Sequence, residues 1–161
     1  VAVLAIWGFA CIQTRAEEQD MAALAAGMKD VPATMEQGLA SAAKSGRPVS
    51  AKFEMDDGEV AFSIYVERSD GFRELLMNPR SGAAAGATII SEGGDLKDAR
   101  AQSAAMAKAK ATLLVAAQNA VAGNAGARVI SVYPELQNGQ AVAIVTLLRD
   151  DKFTKVTEKL D

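Results

Sequence analysis

The chain of 161 residues contains no histidine and a single cysteine, Cys11. Without imidazole, a serine or cysteine nucleophile has no histidine base to activate it, and a zinc or copper site of the usual His and Cys ligands cannot be assembled. Basic side chains are also in short supply. Lys plus Arg is 17 against 20 for Asp plus Glu, a formal net charge of -3, so the basic surface that nucleic acid demands is missing. No apolar run reaches the roughly 20 residues that a membrane-spanning helix needs. What remains is 50% hydrophobic and 23% charged residues, an ordinary globular composition with room for one domain or two very small ones. The expectation is a protein that is not an enzyme, has no cofactor and does not bind nucleic acid.

Residues 1–12 (VAVLAIWGFACI) carry no charge, and Gln13, Thr14, Arg15 and Ala16 then lead into Glu17 and Glu18. A run of this length suits the h-region of a signal peptide. Thr14 and Ala16 supply the small residues wanted before a cleavage point, which places cleavage after Ala16. Neither a Met nor a basic region precedes Val1, so the expected leader, residues 1–16, is truncated at its start. A buried amino-terminal helix is the alternative reading. Cleavage removes Cys11, Trp7 and Arg15 and leaves a charge of 16 - 20 = -4. The expected location is the periplasm or the extracellular medium, with the processed chain not integral to the membrane.

An internal repeat follows from aligning Gly58 with Gly139, an offset of 139 - 58 = 81. At that offset Arg47, Ser50, Glu54, Gly58, Arg68, Asp70 and Phe72 fall on Arg128, Ser131, Glu135, Gly139, Arg149, Asp151 and Phe153. Ordinary residue usage gives roughly two such identities over a stretch of this length. In the first copy Val49, Ala51, Phe53 and Met55 alternate with Ser50, Lys52, Glu54 and Asp56, the period of a half-buried strand. Asp57-Gly58 marks a two-residue hairpin, Val60, Phe62, Ile64 and Val66 a second strand, and residues 72–77 a third. Residues 34–44 (TMEQGLASAAK) predict a helix with Thr34 and Gln37 as a capping box. The second copy has the same order: one long helix over residues 95–122, a strand over 128–137, a hairpin at Asn138-Gly139, and a central strand over 141–148 that is apolar on both faces. Pro134 places an edge or a bulge in its strand. The fold expected is α+β: two tandem repeats, each a helix packed on a three-stranded antiparallel β-meander. Residues 17–32 form an amino-terminal segment, 33–82 the first repeat, 83–94 a linker with a short strand at 88–90, and 95–161 the second repeat with its long leading helix.

The stretch over residues 34–82 resembles a PepSY domain: a short helix, a strand closing on Glu54-Met55-Asp56-Asp57-Gly58, a central strand with Tyr65, and the close Glu74-Leu75-Leu76-Met77-Asn78-Pro79-Arg80-Ser81-Gly82. Asn78 and Ser81 stand where that family usually has an acidic residue and Thr. The second copy, from about residue 113, keeps the hairpin without the closing motif. The resemblance implies secreted or membrane-tethered bacterial modules that bind, sense or restrain peptidases. It carries no catalytic residues.

Carboxylates are the remaining assertive groups. Glu54, Asp56, Asp57 and Glu59 surround the first hairpin, and Asp150 and Asp151 form another turn. Oxygen ligands suit hard cations, so calcium or a trivalent ion is the alternative ligand. Tight binding would need a second acidic segment, Asp95 and Asp98 or Asp150 and Asp151, to approach the hairpin; otherwise Asp57-Gly58 is simply a turn. The leading expectation is recognition or restraint of another periplasmic protein or peptide. Its means would be a sheet edge that recruits an extended segment, unless that edge is spent on packing one copy against the other. The six methionines are scattered and fit apolar faces.

Overall fold

A computed structural model describes residues 9–161, with side chains from residue 18 onward. Residues 1–8 of the expected leader lie outside the described residues. Helix α1 (Phe9–Gly27) runs without interruption past residue 16, and no described helix is long and apolar enough to cross a membrane. After a single 3-10 turn at Met28–Asp30 come α2 (Met35–Ala42), the strands β1 (Arg47–Asp56), β2 (Glu59–Arg68), β3 (Gly71–Met77) and β4 (Ala84–Ile90), then α3 (Gly93–Met106), α4 (Leu113–Gly123), and β5 (Arg128–Gln137), β6 (Gln140–Arg149) and β7 (Lys152–Lys159). The fold is α+β. All seven strands form one antiparallel sheet in the order β4-β3-β2-β1-β5-β6-β7.

The hairpins follow from their turn residues. Asp57 and Asn138 have positive φ (47° and 51°), each followed by a glycine that does too, the backbone that joins twisted strands through two residues. β2 lies between β1 and β3, and β6 between β5 and β7, as the patterns of residues 60–66 and 141–148 predict. Every residue from 141 to 148 is buried, and both α3 and α4 contact this strand. Thr34 caps α2, accepting from the Gln37 N–H at 3.2 Å while Gln37 Oε1 accepts from the Thr34 N–H at 3.0 Å, which is the expected capping box.

Three expectations need correction. The expected helix over residues 95–122 is two helices. Its interruption at 107–112 holds no Gly or Pro, but the N–H groups of Lys110 and Ala111 both donate to the Leu160 carbonyl (2.6 and 3.1 Å), and Thr112 restarts the helix as a cap for the Val115 N–H. The expected linker at 83–94 contains a full strand, β4, because its backbone finds a partner ladder on β3 from Phe72↔Ile90 to Met77↔Ala84. The two expected three-stranded meanders are also not separate sheets: β1 meets β5 through Ala51↔Val132 and Lys52↔Ser131, the edge-to-edge packing of one copy on the other, so one seven-stranded sheet results. Pro134 accordingly sits inside the sheet order, but beyond this short seam, on a stretch of β5 that has no partner on the β1 side.

The main core lies on one face, and a smaller apolar layer that includes Ala99, Ala105 and Met106 of α3 lies on the other. Phe53, Phe62, Ile64, Val66, Val132, Val145 and Leu147 are buried in the main core with Leu24, Met28, Met35, Leu39 and Leu113 from the helical layer. Phe53 and Phe62 stack with centroids 4.0 Å apart. Gly38 brings α2 against Phe62 and Ile64. Ser63, Tyr65 and Glu67 alternate with those residues and so point to the opposite face, where α3 crosses the sheet.

Candidate functional site

The hairpin carboxylates expected to hold a hard cation do not assemble. Glu54 is engaged by Lys52 at 2.6 Å. Asp56 and Glu59 pair across the base of the hairpin and are exposed, while Asp57 occupies its tip. Asp150 and Asp151 form the β6–β7 turn, both with positive φ, and Asp151 accepts from Lys29 at 3.1 Å. Among the described residues no three acidic side chains converge on a common point. The cause is geometric: alternation along β1 and the two-residue turn send successive carboxylates in different directions. Asp95 and Asp98, the second acidic segment, lie on α3 and face a different place.

That place is a cleft of about 280 Å³ between α3 and the sheet. Its floor is the seam, built from Ser50 and Lys52 of β1, Ser63 and Tyr65 of β2, and Ser131 and Tyr133 of β5; α3 supplies Asp95, Asp98 and Gln102. Ser63 is only 2% exposed, yet among the described residues its hydroxyl has no hydrogen-bond partner, and Gln102 Oε1 is likewise buried and unpaired. Buried polar atoms are nearly always satisfied; here two unsatisfied ones border the same cavity. Burial pushes the Tyr65 phenol well above its ordinary pKa, helped by hydrogen bonding with the Asp95 carboxylate and by the charges of Glu74, Asp95 and Glu54. Asp95 and Asp98 place two carboxylates on the α3 side of the cleft. A broader groove of about 590 Å³ continues along α3 past Ala101, Ala104, Pro134 and Leu136.

At the end of α3 the Ser103 hydroxyl donates to Glu67 Oε1 at 2.9 Å, and Arg47 pairs with the other carboxylate oxygen and reaches Ser103 at 3.3 Å. Burial alone would raise the Glu67 carboxyl; the hydrogen bonds from Arg47 and Ser103 and the Arg47 charge outweigh it and hold the pKa below its usual value. This arrangement pins the helix over the polar face. The alternation that marks β1 and β2 as half-buried strands does not reveal that α3 covers their polar face. The overlooked signal is Ser50, Ser63 and Ser131, small hydroxyls where a wet strand face ordinarily carries longer side chains.

The second candidate surface is the pair of outer edges. β7 is guarded by Lys152, Lys155 and Lys159. β4 (AAGATII) carries no charge and no proline, and residues 84–89 are all exposed, Ile89 by 63%. The inner edges, on β1 and β5, meet each other over the short seam of Ala51↔Val132 and Lys52↔Ser131.

Compared with family models, curated proteins and solved structures, the chain matches none.

Proposed function

We propose that this protein is a non-enzymatic binding module, built by duplication of a PepSY-type helix-and-meander unit, that captures an extended segment of another protein on the β4 edge. Duplication is supported by matched positions. The strands of the first meander begin at 47, 59 and 71 and those of the second at 128, 140 and 152, each pair separated by 81. The bulges between Pro48 and Ser50 and between Val129 and Ser131 keep the same spacing. A closing hydrogen bond also recurs: the Ala33 N–H donates to the Pro79 carbonyl (3.1 Å) as the Ala111 N–H does to that of Leu160. Bulges and turns recur in this way when two segments share one ancestral backbone.

The observation that carries the binding reading is the contrast between the edges. Sheet proteins normally protect outer strands with lysine, proline or a covering element. β7 follows that habit, and β4 does not. An uncharged edge of seven residues offers main-chain pairing to an incoming strand, with specificity left to alternate side chains. The setting is the periplasm or the extracellular medium, on the strength of the leader-like run in residues 1–12, and restraint of a peptidase is the form of action that the PepSY resemblance favours.

Single proline substitutions at Ala87 and Thr88 test this. Adjacent residues of an edge strand direct their N–H groups alternately inward and outward, so one variant leaves the β3 ladder intact and the other disrupts it. The folded variant is expected to lose capture of its partner from periplasmic extract, and Thr88→Lys to weaken it. Undiminished capture by the folded proline variant eliminates strand addition at β4.

A further inference from the structure

We infer that the cleft beneath α3 binds a small organic cation of the primary alkylamine class, at a site separate from the β4 edge and independent of the reading given for that edge. Three properties of the cleft select this chemistry. The first is an excess of acceptors. Gln102 Oε1 and Ser63 Oγ are buried without partners among the described residues, and Asp95 and Asp98 line the same cavity. A primary ammonium brings three donors, which Gln102 Oε1, the two carboxylates and the Ser63 hydroxyl oxygen can accept. The second is charge. The cation of the lining, Lys52, is held by Glu54 at 2.6 Å, so the two α3 carboxylates are left to set the sign. An anionic ligand would be repelled, and a neutral polyol would satisfy the hydrogen bonds but not the charge of the carboxylates. The third is the wall: Tyr65 and Tyr133 both border the cavity, and aromatic faces attract cations.

Size narrows the class. About 280 Å³ lies just under the roughly 300–1,000 Å³ of ordinary small-molecule pockets, so the ligand is small. It is also several times the ~30 Å³ that one water occupies in the liquid. A water on the Ser63 hydroxyl would therefore leave most of the cavity unexplained.

The test is a titration of the full chain with 1,4-diaminobutane, followed by amide NMR shifts, with 1,4-butanediol and succinate as probes of matched length. The diamine is expected to give saturable shifts at Ser63, Tyr65, Gln102 and Ser131, with the diol much weaker and succinate silent. Asp98→Asn is expected to weaken diamine binding about tenfold, and Gln102→Leu to weaken it as well. Both substitutions lie on one face of α3 and spare the core, and the dispersion of the spectrum reports directly on folding. Asp57→Asn removes the same charge at the distant hairpin and is expected to leave the affinity unchanged. Equal binding of the diol or of succinate, the absence of saturation, or equal losses in Asp57→Asn and Asp98→Asn would overturn the assignment.

Discussion

Gly38 sets two physical effects against each other at one position. Glycine within a helix is worse than alanine by about 1 kcal/mol, so propensity alone recommends Gly38→Ala. A Cβ at this position would overlap the Phe62 ring and approach Ile64 Cδ1 to 3.2 Å. Phe62 is 1% exposed and held by the stack on Phe53, so it has nowhere to retreat. Overpacking of this kind costs about 1–3 kcal/mol and prevails. Gly38→Ala is expected to destabilise the protein by up to about 2 kcal/mol in urea unfolding; a stabilised variant would show that α2 rides higher on the sheet than described. The residue type was visible in the sequence, but its reason was not. Nothing local in TMEQGLASAAK reveals that a phenylalanine 24 positions later (62 - 38) will press against that backbone.

Among the elements, those coded by their own residues were legible. β1, β2, β5 and β6 show alternation or a buried run closed by Asp-Gly or Asn-Gly, and α2 announces itself with a capping box. The elements that depend on remote partners were legible only in part. Of β4 only residues 88–90 were expected as a strand, and it reaches back to Ala84 because β3 offers a ladder. The break between α3 and α4 exists because the Leu160 carbonyl, some fifty positions away, takes two N–H groups that a continuous helix would keep. The cleft belongs to the same class, since the floor and α3 come from distant segments. Its pin is pH-sensitive. Glu67 titrates below its ordinary value of 4.5 in the folded chain, so its contribution is present above that value and lost as pH falls through the folded pKa. Hydrogen exchange, corrected for intrinsic rates, is expected to show α3 losing protection before α4 does as the pH is lowered below 4.5, and Ser103→Ala to expose the same helix at neutral pH. Parallel loss in both helices would contradict a separate hold on α3.

For the whole molecule, Arg128 ties the first half to the second. The guanidinium donates to the carbonyls of Met28, Val31 and Ala33 at 2.8, 3.0 and 2.9 Å, and lies 6.0 Å from the centre of the Phe53 ring. Burial lowers its pKa, and Glu36 partly restores it. Charge-assisted hydrogen bonds contribute about 1.5–3 kcal/mol each at most and are not additive, and lysine cannot reproduce the planar fork. Arg128→Met is expected to cost about 3 kcal/mol in urea unfolding, with Arg128→Lys recovering less than half; full recovery by lysine would mean that charge alone matters.

The seam between β1 and β5 also gives biosynthesis a timetable. Ala51 waits for Val132, 81 residues later (132 - 51), and ribosomes add about 5–20 residues per second. For roughly 4–16 s the emerging first half has strands but no neighbour on its inner border. That border is also the one a sister nascent chain would fit, because the sister presents the same strand. A shortened version ending before β5 keeps that border unpaired and is expected to pair with itself, which analytical ultracentrifugation of the shortened chain would show.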